Sequence, residues 1–337
     1  MTLRRCALLA AVIATSAAAS APVRADVPTL TIYTYSSFVS EWGPGPALQK
    51  EFEAGCGCKI EWVALEDGAA LLSRLKLEGE KTEADIVLGL DTNLTAETKA
   101  TGLIAPHGID LSAVKLPIAW GDADFVPYDY GYFAFVYDSQ ALPNPPQSLA
   151  ELASAGDAPK LIYMDPRTST PGLGLLLWVK EVMGNEAAGA WKNIAGKTLT
   201  VTKGWSEGYG LFLKGEAPLV LSYTTSPAYH QMMESTDRYK AVNFAEGNYL
   251  QVEVAARLDT SSQPELAQKF LSFLVSRPAQ EKIPTTNWMY PVIDLGDALP
   301  EAFRKLPVPA KTLLMPQDEV AANRSAWIDE WLNSAGQ

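Results

Sequence analysis

Short apolar runs recur along the chain, and most are followed by a turn and then an amphipathic stretch. Thr29–Tyr35 (TLTIYTY), Cys58–Leu65 (CKIEWVAL) and Asp85–Leu90 have the length and alternation of strands. Helical spacing follows each of them, over Ala47–Glu53, Ala69–Leu77 and Thr92–Ala100. Three strand–helix units of this size predict an α/β fold with a parallel sheet and right-handed crossovers. The rhythm resumes later. Leu161–Met164 precedes an apolar helix that runs to Val182. Leu199–Thr202 precedes a helix from Trp205 to near Gly215. Leu219–Ser222 precedes a helix that ends at Glu234. Ser148–Ala153, Pro264–Leu274, Ser276–Ile283 and Ala321–Trp331 also read as helices.

Two stretches break this rhythm. Phe125–Tyr137 (FVPYDYGYFAFVY) is long, aromatic and β-prone, with no helix beside it. It reads as a strand that crosses between two domains, with an ordinary core strand as the alternative. Tyr249–Leu258 (YLQVEVAARL) alternates and reads as the return crossing. No internal repeat or low-complexity linker interrupts the chain.

The turns after the strands carry the candidate chemistry. In a parallel sheet all carboxyl ends point one way, and small ligands bind outside that edge. Tyr35 closes the first strand, and Trp42 opens the turn Trp42-Gly43-Pro44-Gly45-Pro46. Asp67 and Gly68 follow the second strand. After Met164, Thr170 can cap the next helix with Pro171 at its first position. The free amides of Gly172 and Leu173, with the Ser169 and Thr170 hydroxyls, read as an anion pocket or as a plain N-cap. Trp205 and the run Tyr223-Thr224-Thr225-Ser226 sit at two further strand-to-helix handovers, followed by Tyr229 and, in a late aromatic loop, Trp288. Aromatic faces suit sugars, flat heterocycles and cations. Taken singly, each of these aromatics also fits a partly buried core position. With Asp67 and the anion pocket, they describe a flat cationic ring system, with or without a phosphate tail.

Charge and composition narrow the class. The 337 residues are 47 % hydrophobic and 20 % charged, a globular profile with room for two domains. Arg4 and Arg5 precede the apolar run Ala7–Ile13 and the small-residue tract Ser16–Ala21, so residues 1–25 read as a cleavable signal peptide. Val23-Arg24-Ala25 or Ala21 marks the cleavage site. The expected compartment is a bacterial periplasm. The formal net charge is −12, and removing the three arginines of residues 1–25, which hold no acid, makes it −15. That balance argues against nucleic acid as a partner and mildly favours a cationic ligand. Cys56 and Cys58 stand in Cys-Gly-Cys, open to a local disulfide, free thiols or, last, a metal. No metal site and no cofactor are expected.

One motif invites an enzyme. Gly204-Trp205-Ser206-Glu207-Gly208 matches G-x-S-x-G, the nucleophile elbow of α/β-hydrolases. That chemistry wants a histidine well downstream of Ser206. His107 lies upstream, His230 follows directly after the next strand–helix turn, and no histidine comes later. A serine esterase is therefore the rival from another class, and no enzyme is expected.

The ordered segments YTYSSF, EWGPGP, VALEDG, VLGLD, FVPYDYGYFAFVY, NPPQSL, DPRTSTPGLGLLLW, TVTKGWSEGYGLFLKGE, LSYTTSPAYH, YLQVEVAAR and NWMYPV are spread over residues 33–292 and resemble the thiamine-binding periplasmic proteins of bacterial ABC importers. The resemblance implies a type II periplasmic binding fold, two α/β lobes with a ligand cleft between them. In that fold 26–125 and 259–337 form one lobe and 139–248 the other, with 126–138 and 249–258 as crossing segments. It implies thiamine, thiamine monophosphate or thiamine pyrophosphate as cargo, a membrane permease as partner, and a monomer. Asp67 and Gly68 then resemble contacts to the vitamin, and Ser169 and Thr170 the phosphate-end donors. Trp205, Tyr223, Thr224, Thr225 and Ser226 resemble further contacts, joined by Tyr35, Trp42, Tyr229 and Trp288. An iron carrier would usually show adjacent tyrosines, whereas Tyr223 is followed by Thr224. A polyamine or sugar carrier on this fold remains an alternative. One departure stands out: Ser36 follows YTY where the family's best-known member has an acid, which implies either weaker affinity or a charge supplied elsewhere, with Asp67 the candidate.

Overall fold

The computed structural model describes residues 27–156 and 159–336. The signal-peptide reading of residues 1–25 lies outside them. The described strands are β1 (Thr29–Tyr35), β2 (Lys59–Leu65), β3 (Ile86–Asp91), β4 (Ile104–Ala105), β5 (Val126–Asp138), β6 (Leu161–Met164), β7 (Thr198–Thr202), β8 (Leu219–Tyr223), β9 (Tyr239–Ala241), β10 (Asn248–Leu258), β11 (Tyr290–Pro291) and β12 (Thr312–Leu313). Their main path runs β2-β1-β3-β10-β5-β8-β6-β7. β1 pairs with β2 and β3 in parallel, as β6 does with β7 and β8. Between these parallel groups, β10 and β5 pair antiparallel with each other and with the flanking strands. The architecture is thus two α/β lobes joined through the two longest strands.

Those strands are long because they belong to both lobes. Phe125, Val126, Tyr128, Phe133, Ala134, Phe135 and Val136 are all fully buried, as are Tyr249, Leu250, Val252, Val254, Ala255 and Ala256. Strands covered on both faces read as continuous apolar runs. Among the buried polar exceptions, Asp129 and Glu253 lie opposite each other across the pair. The register shifts just after this point against both neighbours, between Glu253 and Val254 against β5 and between Val254 and Ala255 against β3. Bulges of this kind re-aim side chains, often beside functional sites.

Several helices differ from the sequence reading in ways their residues explain. The expected helix over Thr92–Ala100 begins as a 3-10 turn, because the buried Asp91 carboxylate accepts from the Asn93 amide at 3.0 Å. The Ser276–Ile283 segment splits into Arg277–Gln280 and Ile283–Thr286, each with a proline at its start. The helix Ala187–Lys197 has no counterpart in the sequence reading. Its Ala- and Gly-rich sequence leaves only Trp191 and Ile194 as large buried anchors. The last helix, Gln317–Ala335, touches both lobes. Arg324 pairs with Glu97 at 2.8 Å on one side, while Trp331, fully buried, donates to the Tyr163 hydroxyl at 3.0 Å on the other. Cys56 and Cys58 form a disulfide.

Candidate ligand-binding cleft

The carboxyl ends of the parallel strands face one another across the junction and enclose a cleft of about 530 Å³. Tyr35, Trp42, Asp67, Thr170, Trp205, Tyr223, Ser226, Tyr229 and Trp288 border it. Four other residues singled out in the sequence lie behind its wall. A β-carbon on Gly68 would stand 2.2 Å from the Gly89 carbonyl and 2.6 Å from the Thr170 methyl, so glycine is what lets the lobes approach here. The Ser169 hydroxyl is fully buried against Asp67. Thr224 is held by its backbone amide on the Tyr132 carbonyl, and the buried Thr225 hydroxyl points to the Met289 sulfur. Ser36 is exposed, donates to the Glu66 carbonyl, and lies outside this cleft.

Asp67 is the hub of the junction. It caps the helix Gly68–Glu78 of its own lobe, and its Oδ1 accepts from the Gly68 amide at 2.6 Å. The same oxygen accepts from the Thr170 amide and hydroxyl at 3.3 and 3.2 Å. Oδ2 accepts from the Ser169 hydroxyl at 2.9 Å and the Trp205 amide at 3.1 Å. The helices Thr170–Met183 and Trp205–Leu213 start at these donors. Three helix N-termini therefore converge on one carboxylate, and their partial positive charges favour the anion. Burial still outweighs these donors and holds the Asp67 carboxyl above its ordinary range, the Gly68, Ser169, Trp205 and Thr170 bonds opposing. The anion pocket expected here is not open: Ser169, not Thr170, caps the helix, the Gly172 and Leu173 amides both bond to Ser169, and the Ser169 and Thr170 hydroxyls serve the Asp67 carboxylate.

The aromatic walls are fixed from behind. Trp205 stacks on Tyr209, with centroids 4.8 Å apart and 19° between planes, and donates from its ring nitrogen to Ser222 at 2.8 Å. Ser222 in turn pairs with Ser226. Trp42 faces Trp205 from the other lobe at 6.3 Å and is 51 % exposed, which puts it at the mouth. Tyr229 and Trp288 meet edge to face at 5.0 Å. Trp288 has φ +58°, a left-handed backbone that a bulky residue adopts only at a cost of about 1–3 kcal/mol. Such strain persists where the ring's position matters. Trp288→Gly is accordingly expected to be more stable than Trp288→Ala by about 1 kcal/mol in urea unfolding. Equal midpoints would mean that the backbone there is unstrained.

The base of the cleft was not legible in the sequence. Glu253 borders it, and its Oε2 accepts from the Tyr35 and Tyr128 hydroxyls, both at 2.8 Å. The Asn287 amide donates to Asp129 at 2.6 Å and to Tyr35 at 3.1 Å. Tyr35 itself lies against Gly89, whose φ of +107° and missing side chain make room for the ring. Glu253 sits in an alternating strand, where a charged residue ordinarily faces water. An acid inside a strand that must be buried on both faces is the signal that could have found it. Among the residues bordering the cleft, Asp67 and Glu253 are the acids, and none is lysine, arginine or histidine. Among the described residues no group of histidine, cysteine, aspartate or glutamate is arranged to hold a metal.

Ser206 borders the cleft, yet the esterase geometry is not assembled. His230 Nε2 is engaged by the Tyr209 hydroxyl at 2.8 Å, and its Nδ1 by Glu234 at 2.7 Å. Neither ring nitrogen is free to activate the serine.

Residues 44–284 match the family of bacterial extracellular solute-binding proteins. The chain is 60 % identical over 312 residues to the thiamine-binding periplasmic protein of Escherichia coli (strain K12), covering 93 % of this chain and 94 % of that one. It is 59 % identical, over 93 % of both chains, to the thiamine-binding periplasmic protein of Brucella suis. Among solved structures, a periplasmic thiamin binding protein superposes with a TM-score of 0.90 at 58 % identity, over 92 % of this chain and 97 % of that one. An iron-bound protein of Pseudomonas aeruginosa superposes at 0.73 with 20 % identity, a likeness of fold alone. The chain belongs to the bacterial extracellular solute-binding proteins, a family of carriers and not of enzymes.

Proposed function

We propose that this protein captures thiamine in the periplasm and delivers it, as a monomer, to the membrane permease of an ABC importer. Thiamine monophosphate and pyrophosphate are further cargo. The observation that carries the reading is the cleft itself: aromatic rings on both lobes, two acids, and no basic side chain along its border. Thiamine is a permanent cation with two flat rings, and such a cation over a tryptophan or tyrosine face gains about 0.5–2 kcal/mol per contact. The relatives that match over nine-tenths of the chain carry thiamine in their names, which supports the same ligand here. Trp205, Tyr223, Tyr229, Trp288, Trp42 and Tyr35 would hold the rings. A phosphate would take over the Ser169, Thr170 and Trp205 donors from Asp67, aided by the helix N-termini behind them.

Capture would proceed by closing the lobes on the ligand about the β5–β10 junction, a hinge motion common to binding proteins. The test is a titration of the mature chain with thiamine, followed by tryptophan fluorescence. Saturable quenching at micromolar ligand or below is expected, with Trp205→Ala at least tenfold weaker, a loss of about 1.4 kcal/mol or more. An unchanged signal at millimolar thiamine would sink the reading.

A further inference from the structure

Asp67 is already compensated. Its two oxygens accept five hydrogen bonds, four of them from the opposite lobe. Glu253 is not. On β10 it lies directly between Asp91 on β3 and Asp129 on β5, so three carboxyl groups stand in one rank across three adjacent strands. All three are buried, at 0, 5 and 0 % exposure in that order across the sheet. Like charges directly opposite in a sheet destabilise it, and buried charges need partners. The groups acting on Glu253 are Tyr35 from β1, Tyr128 and Asp129 from β5, Asp67 from the loop after β2, and Asp91 from β3. Tyr223 of β8 also faces it. None of these is a cation.

A second, independent observation concerns a single oxygen. Asp129 Oδ2 accepts from Asn287, whereas Asp129 Oδ1 is buried with no donor to serve it. Glu253, directly opposite across the strand pair, is an acid and brings this oxygen no donor unless a proton is present. A buried carboxyl oxygen without a donor is satisfied when it carries the proton itself. Burial first, then the Glu253 charge, holds Asp129 well above the ordinary carboxyl range.

We propose that Glu253, backed by Asp129 and Asp91, is the counter-ion for the ligand's positive charge, and that the rank releases a proton to solvent when the cation enters. This rests on the thiamine reading above. One positive charge arrives and one proton leaves, so the buried rank keeps its charge balance. The rank spans both crossing strands, which places the exchange at the hinge.

Proton release is measured by titrating the mature chain with thiamine calorimetrically, near neutral pH, in buffers of different ionisation enthalpy. Up to one proton released per thiamine is expected, and affinity then falls by as much as about tenfold per pH unit on acidification. Glu253→Gln is expected to bind at least tenfold more weakly and to release no proton. Trp205→Ala, an equally intrusive change in the cleft, weakens binding but keeps the release. Asp129→Asn, which has a donor but no ionisable proton to give up, is expected to lose most of the release. Tight thiamine binding with no proton exchange, with proton uptake, or with undiminished affinity in Glu253→Gln overturns the counter-ion and leaves the thiamine reading intact. Failure of the parent protein to bind thiamine at all overturns that reading, and this inference with it.

Discussion

Raising the pH of the ligand-free protein from about 5 to about 8 is expected to lower its unfolding free energy by several kcal/mol. Burial pushes the carboxyls of Asp91, Asp129 and Glu253 above their ordinary values, and each is made worse by its acidic neighbours. In the unfolded chain these groups lose their protons near pH 4. In the folded chain they keep them to higher pH. Between those limits the folded state binds more protons, so stability falls as pH rises. The stabilisation is fully present below the unfolded values and is gone above the folded ones. Asp91 alone, moved from 3.8 to about 7, represents about 4 kcal/mol at 1.36 kcal/mol per tenfold change in proton affinity. Carboxylates such as Asp138 and Glu97 act the other way. Asp138 is held low chiefly by its hydrogen bond to Arg238, and Glu97, despite the opposing effect of burial, by Lys76 and Arg324. Their contribution disappears only below about pH 4, so the stability maximum belongs in mildly acidic solution. Urea unfolding at the two pH values measures the difference, and Asp91→Asn should flatten it. Stability that is constant or rising over this range would contradict protonated acids in the rank.

Asp67→Ala is expected to open the ligand-free molecule and to weaken thiamine binding about a hundredfold, or about 2.7 kcal/mol. The substitution removes an acceptor shared by the Ser169, Thr170 and Trp205 donors and leaves two helix N-termini facing an empty junction. Removing the carboxylate leaves those buried donors unsatisfied, at about 1–3 kcal/mol each, and nothing in alanine replaces it as an acceptor between the lobes. Small-angle scattering should report a larger radius of gyration for the variant without ligand. Asp67→Asn should fall short of rescue, because its amide group meets donors where the carboxylate met them with a lone pair. An unchanged radius together with unchanged affinity would show that Asp67 holds nothing across the cleft.

The strands and the turns at their ends were legible because their signals are local. Gly204-Trp205, Asp67-Gly68 and Thr170-Pro171 punctuate strand–helix handovers, and the structure brings all three to one point through Asp67. The acidic rank was not legible, because it is made by pairing. Asp91, Asp129 and Glu253 are far apart in sequence, and only the strand order β3-β10-β5 makes them neighbours. Asn287 escaped for a related reason. It stands beside Trp288 in a loop, and its role comes from reaching Tyr35 and Asp129 on two different strands. The helix Ala187–Lys197 was missed on weaker grounds, since alanine and glycine give little amphipathic contrast.

The C-terminal helix carries a mechanical consequence. Two antiparallel strands joining two bodies form a ribbon, which can both bend and twist. Gln317–Ala335 adds a third attachment off that ribbon, bonded through Arg324 to one lobe and through Trp331 and Glu330 to the other. A ribbon braced by an off-axis strut loses its freedom to twist and keeps its freedom to bend. Relative motion of the lobes then reduces to a single angular coordinate, so that whatever reads the outer faces of the protein reads the occupancy of its interior from that one angle.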